Sequence, residues 1–384
     1  MGNKLKVLSI FGTRPEAVKM APVVRALQAE PRIQSRVCVT AQHREMLDQV
    51  LDYFGITPDI DLNLMKPDQS LAGLTASIFT ALDPVLQREQ PDWVLVQGDT
   101  TTVMASALNA YYRKIRVGHV EAGLRTFDKW APFPEEINRK IAGTVADLHF
   151  APTALARENL LKEGVPDERI LVTGNPVIDA VRWVAQQPVP AQVQALLSEL
   201  NISETGNRLV LVTAHRRENF GEPIEQICTA VNRLADEYGG QVRFVYPVHQ
   251  NPNIQGPVHA MLGKNQNIRL LEPVDYPVLI NLLRHAAIAM TDSGGIQEEA
   301  PGFGIPALVL RDVTERPEGV TAGVLQLVGT QSDAIYAAAR RLLDDKSAYQ
   351  VMARAVNPFG DGQAAGRIVQ ALLRTSVGQS SHVS

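Results

Sequence analysis

Short runs of β-branched and aliphatic residues alternate with amphipathic stretches of helical length from one end of this chain to the other. That alternation restricts the fold more than any other feature. Lys6 to Ile10, Arg36 to Thr40, Trp93 to Gln97, Arg116 to Val120, Leu148 to Ala151 and Ile170 to Thr173 make one series of candidate strands. Leu209 to Thr213, Val242 to Tyr246, Ile268 to Leu271, Ala287 to Thr291, Pro306 to Leu310 and Gly323 to Val328 make a second. The runs are apolar almost without interruption, as strands buried on both faces are, so the expected class is α/β with parallel sheets covered by helices. Between the series, Ala185 to Gln192 contains Pro188 and Pro190, which exclude regular helix and mark a connection. Residues 1–184 and 193–375 are the two expected domains, each doubly wound and Rossmann-like, with the last helix able to pack back on the first; 376–384 reads as a polar, frayed tail. The ligand is expected in the cleft between the domains, beyond the carboxyl ends of the strands.

Composition narrows the function. The 37 Lys and Arg against 41 Asp and Glu give a net charge of −4 with no long run of one sign, so the basic footprint of a nucleic-acid binder is absent. No stretch reaches the ~18 apolar residues of a membrane helix. The first apolar run, Val7 to Phe11, stops at Gly12-Thr13-Arg14, which is not a signal peptide. Cys38 and Cys228 lie far apart in strand-like and helical contexts and read as buried reduced thiols. The expected compartment is the cytoplasm.

The chemistry-bearing motifs fall just after candidate strands. Phe11-Gly12-Thr13-Arg14-Pro15-Glu16-Ala17-Val18-Lys19 opens a helix, with capping-box spacing between Thr13 and Glu16, and its N–H groups beside Arg14 suit a phosphate. Thr291-Asp292-Ser293-Gly294-Gly295-Ile296-Gln297-Glu298-Glu299 repeats the strand–glycine–helix pattern, with Ser293 as cap and Glu298 or Glu299 within reach of a ribose diol. Neither matches a dinucleotide fingerprint or a Walker loop, which argues against bound NAD and against NTP hydrolysis, and no cofactor is expected. Asp99, Glu121 and Glu135 gather acid–base capacity in the first half, where helix capping is the alternative use of a strand-end carboxylate. His215, Arg216, His249 and Arg316 bring cations to strand ends in the second half, as a diphosphate needs. His149, His259, His285 and His382 read as structural or exposed, and no metal-ligand spacing occurs.

Seven segments in register (Phe-Gly-Thr-Arg-Pro-Glu-Ala, Thr-Ala-Gln-His-Arg-Glu-Met-Leu-Asp-Gln-Val, Gly-Asp-Thr-Thr-Thr, His-Val-Glu-Ala-Gly-Leu-Arg, His-Arg-Arg-Glu-Asn, Asp-Ser-Gly-Gly-Ile-Gln-Glu-Glu-Ala and Thr-Glu-Arg-Pro-Glu) resemble the bacterial non-hydrolysing UDP-N-acetylglucosamine 2-epimerases. The resemblance spans the chain apart from the tail. It implies a glycosyltransferase-B fold and a homodimer that interconverts UDP-GlcNAc and UDP-ManNAc for surface polysaccharide synthesis. By motif it implies that Arg14, His215, Ser293, Gly294, Gly295 and Glu299 bind UDP with Arg316 nearby, that Asp99, Glu121 and Glu135 are catalytic together with His215, and that Lys19 is the active-site lysine. It also implies a second UDP-GlcNAc acting as activator at Gln42, His43, Gln69, Arg216 and His249. One departure is Asp68, where some members carry a basic residue. The alternatives are a glycosyltransferase of the same architecture, a hydrolysing epimerase, and a nucleotide-sugar sensor without turnover.

Overall fold

A computed structural model describes residues 4–40, 44–64, 69–203 and 206–377 of the chain. It contains two compact units, one built from the residues up to Ala180 together with those from Phe359 onward, the other from Val181 to Pro358.

In unit 1, β1 (Leu5–Phe11), β2 (Ile33–Val39), β3 (Ile60–Asp61), β4 (Trp93–Gln97), β5 (Arg116–Val120), β6 (Leu148–Ala151) and β7 (Ile170–Val172) form one parallel sheet in the order β3-β2-β1-β4-β5-β6-β7. The helices between and after them are α1 (Arg14–Ala29), α2 (Arg44–Phe54), α3 (Leu71–Glu89), α4 (Thr101–Tyr112), α5 (Glu135–Val145), α6 (Ala154–Lys162) and α7 (Pro176–Ala185). Leu8, Ile10, Val94, Val96 and Val117 of the sheet pack with Leu82, Leu86, Val103 and Ala107 of α3 and α4. Each such larger aliphatic side chain contributes roughly 1.5–3 kcal/mol by leaving water.

Unit 2 repeats the plan. Its strands β8 (Arg208–Thr213), β9 (Val242–Pro247), β10 (Ile268–Leu271), β11 (Ala286–Thr291), β12 (Ala307–Val309) and β13 (Leu325–Leu327) are parallel in the order β10-β9-β8-β11-β12-β13. The helices are α8 (Ala191–Glu199), α9 (Glu222–Tyr238), α10 (Pro252–Leu262), α11 (Tyr276–Arg284), α12 (Gly294–Gly302), α13 (Pro317–Thr321), α14 (Ser332–Asp344) and α15 (Lys346–Ala353). Val210, Val212, Phe244 and Met290 meet Ile224, Val231 and Leu234 of α9 and Ile335 and Leu342 of α14. Both strand orders reverse once, between β1 and β4 and between β8 and β11, which are the positions where doubly wound sheets open a crevice.

Four of the expected strands coincide with the observed ones residue for residue, and the others differ mainly at their ends. The two-residue edge strand β3 is too short to carry a pattern, and Pro306 to Leu310 and Gly323 to Val328 shrink to three residues each near the far edge of unit 2. The domain limits differ more. The second domain was expected over residues 193–375 with its last helix able to pack back on the first; the units part at Ala180 and Val181, within α7, and the chain returns to unit 1 at Phe359.

The return is fixed by polar contacts. The N–H of Asn175 donates to Phe359 O at 2.7 Å. Asp179 on α7 accepts the first-turn N–H groups of α16 (Ala364–Val377) from Ala364 at 3.1 Å and Ala365 at 3.0 Å. A carboxylate from another helix therefore serves α16 as its cap. Among the described residues no helix is long and apolar enough to cross a membrane, and Cys38 and Cys228 are buried free thiols whose pKa values burial pushes up to about 12.

His119 on β5 is buried, and its Nε2 pairs with Gly98 O at 2.7 Å, holding the turn that follows β4. Burial lowers its pKa to about 3 and that of His149, its register partner on β6, to about 4. The unfolded chain takes up these protons near pH 6.5, so the stability due to neutral burial is complete above that pH and drains away as pH falls toward 4. Each histidine then adds a slope of about 1.4 kcal/mol per pH unit. His119→Gln keeps a side-chain donor for Gly98 O but cannot titrate. Urea midpoints taken between pH 6.5 and 5 should show a slope shallower by about one proton equivalent in the variant than in the parent.

Candidate active site

The turn after β1 is built around Glu16. Thr13 caps α1 by accepting the Glu16 N–H at 3.4 Å, while the Glu16 carboxylate accepts the N–H groups of Gly12 at 2.8 Å and Thr13 at 2.7 Å and the Thr100 hydroxyl at 2.5 Å. The capping box is therefore complete, and the expectation that these N–H groups face a phosphate is corrected for Gly12 and Thr13, whose N–H groups an internal carboxylate already holds. Burial raises the Glu16 pKa against the lowering effect of its hydrogen bonds. A Cβ on Gly12 would lie 1.9 Å from Thr40 Oγ1, so this turn admits only glycine. Beside it, half-buried Arg14 has no hydrogen bond or ion pair among the described residues and keeps its guanidinium available.

Asp99 is not a helix cap. Thr100 caps α4 by accepting the Val103 N–H at 3.4 Å, and this leaves the Asp99 carboxylate for other work. Its Oδ2 accepts from Arg139 Nη2 at 2.5 Å, whereas Oδ1 has no hydrogen-bond partner among the described residues. Glu121 follows β5 with a left-handed backbone, φ 62°, a conformation that costs a non-glycine residue roughly 1–2 kcal/mol. Its carboxylate pairs with Lys19 Nζ and with Gln97 Nε2 and accepts from Asn175 Nδ2 at 3.0 Å. The Lys19 and Glu121 side chains are only 12% and 5% exposed, so the pair is shielded from solvent screening. Because β1, β4 and β5 are consecutive neighbours, Arg14, Lys19, Asp99 and Glu121 occupy one edge of the sheet. Glu135 is the first residue of α5 and is half-buried.

In unit 2 the turns after β8 and β11 are tied by Asp292. This fully buried residue accepts through Oδ2 from the N–H groups of His215 at 2.7 Å and Arg216 at 2.8 Å and from Asn219 Nδ2 at 2.9 Å. His215 Nδ1 stands 3.5 Å from Asp292 Oδ1. Ser293 was expected to cap α12, but its hydroxyl makes no capping bond; its own N–H donates to Thr291 Oγ1 at 2.9 Å. The N–H groups of Gly294 and Gly295 have no acceptor among the described residues, so this helix end is open to an anion.

Glu298 does not remain available for a ribose, because Arg316 holds it through Nε at 2.8 Å and Nη2 at 2.7 Å. Arg316 also meets Glu315 at 2.8 Å and lies directly under Gly294, where a Cβ would sit 3.3 Å from the guanidinium. Glu299 is buried on the same helix, its Oε2 3.8 Å from the position a Cβ on Gly295 would take.

Of the activator set, Gln42 and His43 lie outside the described residues, as does the Lys66-Pro67-Asp68 stretch. Gln69 donates to Ser77 Oγ at 3.2 Å in unit 1. In unit 2 Arg216 is half-buried, and exposed His249 stacks on His215 with ring centroids 5.4 Å apart and planes 10° from parallel. Four residues that organise these edges were given no role from the sequence: Gln97, Asn175, Arg139 and Asp292. Asn175 had a signal, since Thr173-Gly174-Asn175-Pro176 is another strand-to-helix turn. Arg139, inside a helix, had none.

Residues 25–373 match the sequence profile of the family described as UDP-N-acetylglucosamine 2-epimerase. The curated UDP-N-acetylglucosamine 2-epimerase of Salmonella typhimurium is 54% identical over 370 residues, covering 96% of this chain and 98% of that protein. The crystal structure of UDP-GlcNAc 2-epimerase from Neisseria meningitidis bound to UDP-GlcNAc superposes with a TM-score of 0.88 at 46% identity, covering 96% of this chain and 100% of the other. The S. aureus MnaA structure with UDP gives 0.86 at 47% identity, over 97% and 96% of the two chains. The fold these neighbours share is the expected α/β arrangement of two Rossmann-like domains, glycosyltransferase-B in type. By profile, by identity and by architecture alike, the chain belongs to the UDP-N-acetylglucosamine 2-epimerase family.

Proposed function

We propose that this protein interconverts UDP-GlcNAc and UDP-ManNAc without net hydrolysis, by eliminating UDP and adding it back. The observation that carries the reading is the pairing of an open carboxylate, Asp99, with a shielded ionic centre, Lys19 and Glu121, at one edge of the unit 1 sheet. C2 of the sugar bears an acetamido group and no adjacent carbonyl, so its hydrogen is inert until C1 becomes cation-like. In the α-gluco substrate the C1–O and C2–H bonds are antiperiplanar. Loss of the C2 proton to a carboxylate lets its electron pair form C1=C2 while the C1–O bond breaks and UDP departs with that bonding pair. The resulting 2-acetamidoglucal takes a proton on the opposite face of C2 as a UDP oxygen re-forms the bond to C1.

Asp99 is assigned the C2 proton, because Oδ1 is open while Arg139 fixes Oδ2. Glu121 and Glu135 share proton return and orientation, with Lys19 balancing the charge of Glu121. On unit 2, the open end of α12 (Ser293, Gly294, Gly295), together with His215, is assigned the diphosphate and Glu299 the ribose; for Arg14, family resemblance supports a part in binding UDP. Each well-aimed donor to the departing diphosphate contributes about 3 kcal/mol by analogy with oxyanion holes. Arg316 acts from beneath, as the charge that packs against Gly294.

Family resemblance supports a cytoplasmic homodimer whose product supplies surface polysaccharide synthesis, and a second UDP-GlcNAc that activates through Gln42, His43, Gln69, Arg216 and His249. The stack of His249 on His215 supports that last element, since a ligand at one ring bears on the other.

Proton NMR of UDP-GlcNAc with the purified protein in D₂O, without any acceptor, should show UDP-ManNAc with deuterium at C2. An epimer without label rules out elimination; free ManNAc with UDP identifies a hydrolase, and unchanged substrate favours a transferase or a sensor. Asp99→Asn should lower kcat by about 10²–10⁴-fold while leaving UDP affinity by calorimetry nearly unchanged. Gly294→Ala, whose methyl meets the Arg316 guanidinium, should weaken UDP binding about tenfold in the same calorimetric assay, and an unaltered affinity would remove α12 from the diphosphate site.

A further inference from the structure

Asp99 is one turn after β4, and the side chain that fixes it comes from α5, forty residues later. Arg139 is buried, with its side chain 7% exposed against 28% for Asp99. Its Nη2 donates to Asp99 Oδ2 at 2.5 Å, and its Nη1 stands 3.3 Å from Glu136 Oε2. Glu136 is fully buried and serves more than one group: it accepts the N–H of Thr126 at 3.1 Å through Oε2 and that of Phe127 at 3.1 Å through Oε1, with Lys140 Nζ 3.8 Å away. Glu136, Arg139 and Lys140 share a face of α5 through spacings of three and four residues. The backbone that Glu136 grips belongs to the segment between β5 and α5, which starts at Glu121 and leads into Glu135.

We infer that Arg139, held by Glu136, is a positioning residue for the epimerisation: it pins one oxygen of Asp99 so that the other meets C2, and the same buried carboxylate fixes the segment joining Glu121 to Glu135. The inference rests on the reading of Asp99 given above. The chemistry favours this arrangement over a purely structural ion pair for a specific reason. The planar guanidinium keeps its charge and spans two carboxylates, Asp99 through Nη2 and Glu136 through Nη1, so it fixes direction as well as distance. A pair needed only for stability would gain nothing from leaving Asp99 Oδ1 unbonded and more than a quarter of that side chain open to solvent. Arg139 touches neither the sugar nor the nucleotide in this account; it acts through Asp99.

The test compares the parent protein with Arg139→Ala, Arg139→Lys and the double variant Asp99→Asn/Arg139→Ala, following epimerisation and deuterium entry at C2. Arg139→Ala should lose about 100-fold in kcat, the scale on which a misplaced group fails, with KM nearly unchanged. Guanidinium at tens of millimolar should restore part of that loss in a saturable manner and should restore nothing in the double variant, because the carboxylate it must hold is gone. If removing the buried cation prevents folding, Arg139→Lys answers instead: it keeps the charge, loses the fork, and should show the same fall in kcat with KM preserved. Unimpaired kcat in Arg139→Ala or Arg139→Lys overturns the inference. So does a loss in a well-folded Arg139→Ala that guanidinium leaves untouched. Failure of the parent to turn over UDP-GlcNAc would instead strike the underlying reading of the reaction, so the two failures are distinct.

Discussion

A parallel sheet delivers every strand-to-helix turn to one edge, and this chain depends on that delivery twice. In unit 1 the neighbours β2, β1, β4 and β5 bring Thr40, Gly12, Asp99 and Glu121 to the same rim from positions as far apart as 12 and 121. In unit 2, β8 and β11 bring His215 and Ser293 together in the same way. The strand order reverses at each of these places, so the first helices on the two sides leave in opposite directions and a crevice opens between them. Nothing about the chemistry has to be arranged by the loops alone; they need only hold what the sheet has already gathered.

Holding it requires buried charge, and the protein handles that charge consistently. Glu16, Glu136 and Asp292 are all buried carboxylates, and each accepts two backbone N–H groups together with at least one side-chain donor. A buried carboxylate without such partners would be strongly destabilising, whereas with them it fixes two turns relative to each other. Glu16 ties the turn after β1 to that after β4, Asp292 ties β8 to β11, and Glu136 ties the segment before α5 to α5 itself. These residues have no reacting atoms to touch. The carboxylates assigned to the chemistry differ from them: Asp99 keeps an oxygen open, and Glu121 is matched to an ammonium group on a strained backbone.

That distinction is where sequence reading reached its limit. The strands were legible because strands buried on both faces leave continuous apolar runs, and the motifs were legible because glycine and carboxylate at strand ends are uncommon needs. Which carboxylate does chemistry and which fills a helix end depends on burial and on partners far along the chain. Glu298 looked free for a ribose and is committed to Arg316, while Glu16, expected to pair with Thr13 in a capping box, also holds the Gly12 N–H and the Thr100 hydroxyl. Arg139 had no local signal because its partner Asp99 is forty residues earlier. The last helix was read as able to pack back on the first domain, but what caps it was hidden, since the Asp179 carboxylate that does so lies in α7.

The two helix ends that looked alike in sequence separate for the same reason, and the separation decides where an anion belongs. Thr13 and Glu16 close α1 from both directions, so a phosphate arriving there would meet a carboxylate already holding the N–H groups it needs. At α12 the cap position is held by Ser293, which donates its N–H backward to Thr291 and whose hydroxyl has no partner among the described residues, while two glycines follow and the Arg316 guanidinium packs against the first. A helix end left uncapped is a cost unless something else satisfies it. The occupant proposed for it, a nucleotide diphosphate, brings the negative charge and acceptor oxygens that such an end favours. Arg14 stands beside the closed end with no hydrogen bond or ion pair among the described residues, so its charge, unlike that of Arg316, is not spent on an internal carboxylate.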